Sequence, residues 1–293
     1  MDLETIKMEE NLIRDNLYKP EYDTHAMSTD PYYNLIEITE PVWLNICISI
    51  LQIKEDRTLY FPKARLRLRK RITRSWEDIV KLAKTNKIQH YFGDNADNVF
   101  MAGGSALATL LTVPATDVDY FSTKEIRPDE IKSEFNKFEV TPHLINFDYK
   151  RQLIKRLYKV PHEIVHSFDI DCCAVLINRR GQIYGSKRFV YSLINGYNTV
   201  DFNYFSPSYE WRLIKYSNRG FSVYIRGVLN CEGADSLYTK TDQGLCIPDA
   251  IWGFADIDDI LMTNNIILLI YKSIRVNNEK KWKKLNLPIL NRL

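Results

Sequence analysis

Residues 99–121 read VFMAGGSALATLLTVPATDVDYF and predict a strand that enters a glycine turn and a helix that leaves it. The apolar run 99–102 ends at Gly103 and Gly104, and Ser105 opens a run of helix-forming residues. Glycine lets the backbone approach a bound group closely, and the free N–H groups at the start of a helix favour an anion. The sequence therefore predicts a phosphate-binding turn.

Two aspartates follow this turn by about a dozen residues and are flanked by hydrophobic residues. Asp117 and Asp119 enclose Val118, and the apolar residues around them predict a second strand. Side chains two positions apart on a strand face the same way. Two carboxylates on one face, beside a phosphate-binding turn, can hold divalent metal ions against the phosphates of a nucleotide. The alternative is a strand edge with two solvated aspartates.

A third carboxylate is expected from residues 168–177, FDIDCCAVLI, whose apolar and β-branched residues predict a central strand. Asp169 and Asp171 share one face of that strand, and either can complete a cluster with Asp117 and Asp119. Carboxylates brought together repel and raise one another's pKa unless a cation joins them. We therefore predict Mg²⁺ or Mn²⁺ at this cluster.

The combination of Gly-Gly-Ser with a later Asp-x-Asp resembles the signature of the DNA polymerase β-like nucleotidyltransferase superfamily. Over residues 95–225 the order of blocks is similar to a family of nucleotidyltransferases found in large DNA viruses and in some ankyrin-repeat proteins. The blocks that carry this second resemblance lie at 152–158, 163–170, 198–201 and 206–221. The resemblance implies that Asp169, which follows a phenylalanine, is the third carboxylate, with Asp171 as the fallback.

The resemblance implies an α/β (α+β) core in which a short mixed sheet carries the carboxylates and helices cover one face, with a mainly helical C-terminal region. It also implies transfer of a nucleoside monophosphate from an NTP to an acceptor hydroxyl, with release of pyrophosphate. Asp117 and Asp119 are then expected to bind both metal ions, and Asp169 to bind one and help deprotonate the hydroxyl. The residues expected to hold the triphosphate are Gly103, Gly104 and Ser105.

Residues 206–219 predict a helix that is capped by Ser206 or Ser208 and stopped by Gly220. Its basic and aromatic side chains recur at helical spacing and share one face, which we call the basic stripe. The stripe consists of Arg212, Lys215, Tyr216 and Arg219. In the enzymes that the chain resembles, such a helix offers cations to the triphosphate and an aromatic ring to the base. The alternative is an ordinary amphipathic helix with solvated cations.

A second basic segment, residues 63–74, alternates apolar and basic side chains and predicts an edge strand or ribbon with an arginine face. Clustered arginine and lysine supply most of the affinity for a nucleic acid backbone. The residues expected to contact RNA are Arg65, Arg67, Arg69, Lys70 and Arg71. The alternative is a solvated charged face. The net charge of the chain is only +3, so RNA affinity has to come from such a local patch.

The 293 residues are expected to form three regions. These are an N-terminal arm with the basic ribbon and a helix over 1–90, the catalytic core over 91–228 and the mainly helical region over 229–293. The charged N-terminus lacks the apolar core of a signal peptide, and no apolar run is long enough to span a bilayer. We therefore expect a cytoplasmic protein without a membrane partner.

Three functions fit these features. The first is transfer of a nucleotide to an RNA 3′ end, with the arginine ribbon as the RNA track. The second is transfer to a protein or small molecule, as in toxin and antitoxin systems, which leaves the ribbon idle. The third is a non-catalytic nucleic-acid-binding relative, which is expected to have lost a carboxylate, whereas every candidate carboxylate is present.

Overall fold

The computed structural model describes residues 3–17, 30–51, 68–134, 138–200, 208–226, 239–241 and 244–247. The α-helices in these ranges are α1 (Leu3–Leu17), α2 (Glu40–Leu51), α3 (Trp76–Lys84), α4 (Ile88–Phe92), α5 (Gly104–Leu110), α6 (Pro161–His166), α7 (Lys187–Asn195) and α8 (Tyr209–Ser217). The strands are β1 (Leu35–Glu37), β2 (Val99–Ala102), β3 (Val118–Ser122), β4 (Glu139–Val140), β5 (Leu144–Asp148), β6 (Arg151–Leu157), β7 (Val175–Ile177), β8 (Ile183–Ser186), β9 (Tyr197–Thr199), β10 (Ser222–Arg226), β11 (Thr239–Thr241) and β12 (Gly244–Ile247). Short 3₁₀ turns lie at Gly93–Asn98, Pro128–Glu130 and Asp171–Cys173.

The larger sheet of the described residues has eight strands in the order β1-β8-β7-β2-β3-β6-β5-β4. Its neighbouring strands pair antiparallel, apart from the parallel pair of β3 and β6. The predicted α+β class with a mixed sheet is therefore confirmed. Eight strands make the sheet longer than the short one that was expected.

Strand β2 lies between β3 and β7, and this position brings three chain segments together. Met101 of β2 pairs with Tyr120 of β3 and with Ile177 of β7, both in antiparallel register. The end of β2 therefore lies beside the beginnings of β3 and β7. The glycine turn, the Asp-x-Asp pair and the turn before β7 meet at one edge of the sheet.

The central strands are buried on both faces. All four residues of β2 and all three of β7 are buried, which explains why their sequences are continuous apolar runs without alternation. Burial of each large aliphatic side chain there contributes about 1.5–3 kcal/mol. The turns that adjoin β2 and β7 are consequently attached to well-packed strands.

The predicted N-terminal arm contains a helix, α1, which the sequence analysis did not predict. Helix α1 packs against α6 and α7. Among the side chains of α1 that the structure describes, Ile6, Glu10 and Ile13 are buried, and their spacing of four and three residues defines one helix face. A carboxylate lies between the two isoleucines of this face, so an apolar stripe is hard to recognise in this charged sequence.

The helix expected in the N-terminal region follows Ser75 as α3, with the Ser75 hydroxyl accepting a hydrogen bond from the backbone N–H of Asp78 at 3.1 Å. Before it, the apolar residues 36–51 form the end of β1 and then α2. Trp43, Ile46 and Ile50 are buried along α2.

A smaller sheet has the strand order β11-β12-β10-β9. Helix α8 lies just before β10 in the chain, and Gly220 between them has a φ of +107°, as expected for a residue that ends a helix. Of the region 229–293, predicted to be mainly helical, the structure describes only 239–241 and 244–247, which are strands. The rest of that prediction lies outside the described residues.

Candidate active site

The predicted strand, glycine turn and helix are present as β2, Gly103 and α5. Gly103 has a φ of +72°, a conformation that favours glycine, and its N–H donates to the carbonyl of Val175 at 3.0 Å. A Cβ atom at Gly103 would lie 2.9 Å from Cε1 of Phe168. The turn is thus packed against the residue that precedes Asp169.

Ser105 has a structural part in this turn. Its buried hydroxyl donates to the carbonyl of Ala102 at 3.0 Å, across the glycine pair. The bond ties the first turn of α5 to the end of β2. Contact of Ser105 with a triphosphate stays a prediction.

Asp117 and Asp119 come together as their spacing predicts. Asp117 directly precedes β3, Asp119 lies within it, and both side chains are half-buried. Burial raises the pKa of Asp119 to about 6, the like charge of Asp117 adds to the rise, and the positive charge of Lys215 opposes it. This carboxylate pair therefore carries an electrostatic cost that a cation would relieve.

Asp169 and Asp171 do not share a strand face, so that prediction was wrong. Strand β7 begins only at Val175, and Asp171 opens a 3₁₀ turn. The Asp171 carboxylate accepts from the backbone N–H of Thr199 at 2.6 Å, and it also accepts from Nη1 of Arg188 at 3.1 Å. These bonds turn the chain away from an extended path.

The two aspartates consequently have different surroundings. Both carboxylates are buried, but Asp171 lies within a network of structural contacts, whereas Asp169 forms an ion pair with the guanidinium of Arg212 on α8. Asp169 therefore lies on the side of the turn that faces the basic stripe. This difference separates two residues that the sequence pattern alone treats as equivalent.

The basic stripe meets the glycine turn and the carboxylates. Arg212 contacts Asp169, and the charge of Lys215 acts on Asp119. A Cβ atom at Gly104 would lie 2.6 Å from the hydroxyl oxygen of Tyr216 and 3.3 Å from Nη1 of Arg219, so only a glycine fits beneath them. The residues predicted to bind a nucleotide are thus brought to one place.

Arg219 is a buried cation at the glycine turn. Only 4% of the residue is exposed, and among the described residues its Nη1 has no hydrogen-bond partner. The guanidinium carbon lies 4.9 Å from the centre of the Tyr216 ring. A buried charge without a hydrogen-bonded partner is costly, so the site favours an anion beside Nη1.

The fit of a metal ion rests on the Asp117 and Asp119 pair. In the part of the chain that the structure describes, no group of three His, Cys, Asp or Glu side chains is arranged to hold a metal. Asp169 is engaged by Arg212 and does not complete the predicted cluster. Mg²⁺ commonly takes one or two protein carboxylates together with water and substrate phosphates. The pair alone therefore fits the donor set that this ion prefers.

Residues 162–166 read HEIVH, which matches the His-Glu-x-x-His pattern of zinc peptidases. They lie in α6, and His162, Glu163 and His166 are all buried. Glu163 accepts from the backbone N–H of Lys159 at 2.7 Å, and burial lowers the pKa of His162 to about 4, helped by the neighbouring His166. With α1 packed against α6, we assign these residues to the core.

The described part of the basic segment is not a strand, which corrects the predicted ribbon. Residues 68 and 69 are helical and residue 70 begins a turn, while Arg65 and Arg67 lie outside the described residues. Nε and Nη2 of Arg69 donate to the carbonyls of Ile50 and Leu51 at 3.0 and 2.9 Å. The guanidinium therefore caps the C-terminal end of α2, where carbonyl groups lack helical partners.

Arg74 caps the C-terminal end of α5. Its Nη1 donates to the carbonyls of Ala108, Thr109 and Leu111. Lys70 is exposed, and Nη1 of Arg71 reaches the carbonyl of Thr112 at 3.4 Å. Arg69 and Arg74 thus bind the C-terminal ends of helices, a position that alternation along the chain does not predict.

We expect Arg69→Gln to lower the free energy of unfolding by about 1 kcal/mol, because α2 loses its cap. RNA affinity should stay within twofold of the wild type. Urea unfolding and a salt titration of RNA binding measure the two effects, with the exposed Lys70→Gln as the control. A drop of about 0.7 in the salt slope for a single strand, with unchanged stability, would instead make Arg69 a phosphate contact.

Sequence reasoning did not single out Glu10 or Arg188, both of which are buried and paired with each other. The available signal was weak: one carboxylate flanked at helical spacing by Ile6 and Ile13. Its partner lies 178 residues further along the chain.

Comparison with known proteins gives one partial relative, an uncharacterized protein of Acanthamoeba polyphaga mimivirus. It is 36% identical to this chain over 86 residues, which cover 29% of the chain and 19% of the mimivirus protein. No family model matches the chain, and no solved structure matches it significantly. None of the helices in the described ranges has the length and apolar character to cross a bilayer.

Proposed function

We propose that this chain is a metal-dependent nucleotidyltransferase of the DNA polymerase β-like superfamily, similar to those of large DNA viruses. It transfers a nucleoside monophosphate from an NTP to an acceptor hydroxyl and releases pyrophosphate. One observation carries the proposal: α8 brings its basic stripe onto the glycine turn and the carboxylates that the sequence assigns to this chemistry. The contacts are Arg212 with Asp169, Lys215 near Asp119, and Tyr216 and Arg219 above Gly104.

The carboxylates of the site would bind the metal ion and accept the proton of the acceptor hydroxyl. Asp117 and Asp119 would hold Mg²⁺ or Mn²⁺, which when bound supplies charge stabilisation at the phosphates and acidifies the acceptor hydroxyl. Asp169 lies beside the same edge of the sheet and would accept the proton of that hydroxyl. For this role it has to leave Arg212, and the anionic triphosphate is the natural competitor for that guanidinium.

The glycine side of the site binds the triphosphate. Gly103 and Gly104 leave room for phosphate oxygens, while Arg219 and Lys215 offer positive charge. Tyr216 is buried, so its ring is closed to a stacking base. On the same helix Trp211 is 56% exposed and lies one turn before Lys215, which makes it the better candidate for base stacking.

The deciding experiment incubates the protein with each labelled NTP, with Mg²⁺ or Mn²⁺, and with either RNA or a protein extract. We expect label on one acceptor and release of an equal amount of pyrophosphate, both lost in Asp117→Ala. Absence of label and pyrophosphate with every nucleotide, metal and acceptor would reject the proposal.

RNA is the first acceptor to test, because Lys70 is exposed beside a basic sequence. The second candidate, transfer to a protein or small molecule, is favoured by one observation. Arg69 and Arg74 bind helix carbonyls, which removes them from a solvent-facing track. The RNA and extract arms of the experiment distinguish the two acceptors.

We expect Gly104→Ala to raise the KM for NTP at least tenfold, because the new methyl group would displace Tyr216 and Arg219 from the turn. Gly104 lacks a positive φ, so the effect is steric and not a backbone strain. Steady-state kinetics at saturating metal measure the change. Gly93→Ala is the complementary control, because its φ of +49° strains an alanine while its Cβ meets nothing within 4 Å, so it should lower stability without raising the KM.

A double variant tests whether the effect of Gly104→Ala on the KM is steric. In Gly104→Ala combined with Tyr216→Phe, the clashing hydroxyl is gone, and part of the lost affinity should return. An unchanged KM in Gly104→Ala would mean that the turn does not bind the nucleotide.

A further inference from the structure

Arg188, near the start of α7, is only 2% exposed and joins two buried carboxylates. Its Nε lies 2.7 Å from Oε2 of Glu10, and its Nη1 lies 3.1 Å from Oδ1 of Asp171. The backbone N–H of Arg188 donates to Oε1 of Glu10 at 3.0 Å. Both oxygens of Glu10 therefore lie against Arg188, and Oε2 also lies 3.8 Å from Nδ1 of His166.

The same guanidinium also holds the chain on the other side of Asp169. Nη2 of Arg188 donates to the carbonyl of Phe168 and reaches that of Val165 at 3.5 Å. Asp169 thus lies between two anchor points on a single side chain, the Phe168 carbonyl before it and the Asp171 carboxylate after it. A planar guanidinium with several fixed donors suits this task, because the directions of its bonds cannot vary independently.

Glu10 compensates the positive charge of the buried Arg188 guanidinium. A buried guanidinium requires compensating charge, and Glu10 supplies a carboxylate from outside the sheet. Burial by itself would raise the pKa of Glu10, but the neighbouring His166 and the charge of Arg188 hold it at about 2, so Glu10 is ionised at neutral pH. Ile6 and Ile13 bury the same face of α1 on either side, so the helix has packing contacts that do not depend on Glu10.

We infer that Glu10 and Arg188 are positioning residues, through which the N-terminal helix fixes the turn that presents Asp169. The inference rests on the proposed function in one respect only, namely that Asp169 takes part in the reaction. The chain before the sheet is then an integral part of the active site, although none of its described residues is placed in contact with the nucleotide. Glu10 orients the guanidinium, and the guanidinium orients the turn.

The test compares Glu10→Gln with Glu9→Gln. Glu9 is the neighbouring carboxylate, lies on the same helix and pairs with Lys187 of α7 at 2.5 Å, but is partly exposed. It therefore controls for loss of an ion pair between the same two helices. Glutamine at position 10 keeps the size of the side chain and an acceptor for the Arg188 N–H, but it removes the charge and places an amide NH2 donor where Oε2 lies beside Nε of Arg188.

The first readout is hydrogen exchange of peptides over 165–174, where backbone N–H groups of Cys172, Cys173 and Ala174 are bonded within the turn or to Asn198. We expect exchange there to be at least tenfold faster in Glu10→Gln, with β2 and β3 unchanged, and no effect in Glu9→Gln. Unchanged exchange, or an equal increase in β2 and β3, would overturn the inference.

The second readout is kinetic. In Glu10→Gln, kcat should fall at least tenfold and by a larger factor than the KM for NTP rises, because Arg188 anchors the residues on both sides of Asp169 directly but reaches the glycine turn only through the packing of Phe168 on Gly103. Faster exchange with wild-type kcat would overturn the positioning role. If the wild type transfers no nucleotide, the proposed function fails, and exchange alone decides whether Glu10 holds the turn.

A second variant covers the case in which Glu10→Gln does not fold. Glu10→Asp keeps the carboxylate and shortens its reach by one methylene group, so the protein should fold and show an intermediate increase in exchange over 165–174. Wild-type exchange in Glu10→Asp, with the thermal midpoint also unchanged, would contradict a geometric role for this carboxylate.

Discussion

Asp119→Asn is expected to reduce nucleotide transfer at least about 10³-fold at saturating Mg²⁺. Loss of a metal ligand removes charge stabilisation worth several kcal/mol from the transition state, and about 1.4 kcal/mol corresponds to each tenfold step in rate. The measurement is kcat with the best NTP and acceptor, and the exposed Asp94→Asn is the matched control. Transfer within tenfold of the wild type would remove Asp119 from the metal site.

The same variant should be more stable than the wild type when no metal is present. The pKa of Asp119 rises from 3.8 to about 6 on folding, because of burial and the charge of Asp117. Between these values the folded state binds more protons than the unfolded state, so the contribution of Asp119 to stability falls as pH rises towards 6 and stays lost above it. Removing the charge should therefore stabilise the protein at pH 7 by on the order of 2 kcal/mol.

Metal binding should show the opposite trend with pH. A proton on Asp119 competes with the ion, so Mn²⁺ affinity is expected to fall as pH is lowered through about 6. Chemical denaturation without metal and titration with Mn²⁺ at pH 5 and pH 7 measure both effects. A less stable Asp119→Asn at pH 7, or Mn²⁺ affinity that does not change between these pH values, would contradict the assignment.

The second large effect separates Asp169 from Asp171. Asp169→Asn should lose at least about 10²-fold in kcat, because it removes the group that takes the acceptor proton, and it should cost less stability than Asp171→Asn, because its partner Arg212 is partly exposed. Asp171→Asn should instead lower the free energy of unfolding by about 2–3 kcal/mol, because it weakens a buried pair with Arg188. Its folded fraction should keep most of its activity.

Urea unfolding and kcat per folded molecule distinguish these results. A larger loss of kcat in Asp171→Asn than in Asp169→Asn would mean that the resemblance has been aligned two residues out of place. It would also contradict the observed separation of the two carboxylates.

Local patterns predicted the parts of the site that are formed by neighbours in sequence. Gly103 needs its positive φ where β2 ends, and the spacing of Asp117 and Asp119 along an extended segment puts their carboxylates together. Helix α8 was also predictable, because Arg212, Lys215 and Tyr216 recur at helical spacing, but the helix ends at Ser217 and Arg219 lies in the turn after it. That this face meets the glycine turn follows from tertiary packing and was known only as an implication of the resemblance.

Long-range contacts account for the errors. Asp171 bends the chain by accepting from Thr199, which is 28 residues away, and a strand pattern contains no information about that bond. Arg69 bonds to the C-terminal end of α2, and Glu10 pairs with Arg188. A local sequence pattern contains no information about these contacts either. Charged side chains with buried partners are the residues whose position a sequence pattern predicts least well.

The order of strands in the larger sheet brings the glycine turn and the Asp-x-Asp pair together, whatever the number of residues between them. Gly103 and Asp117 are neighbours because β2 pairs with β3, and adjacent strands lie about 4.8 Å apart whatever connects them. Residues 114–116 of the connection are exposed. The interval of about a dozen residues is therefore a property of this connection and not a requirement of the chemistry, so insertions at 114–116 can lengthen it without moving the site.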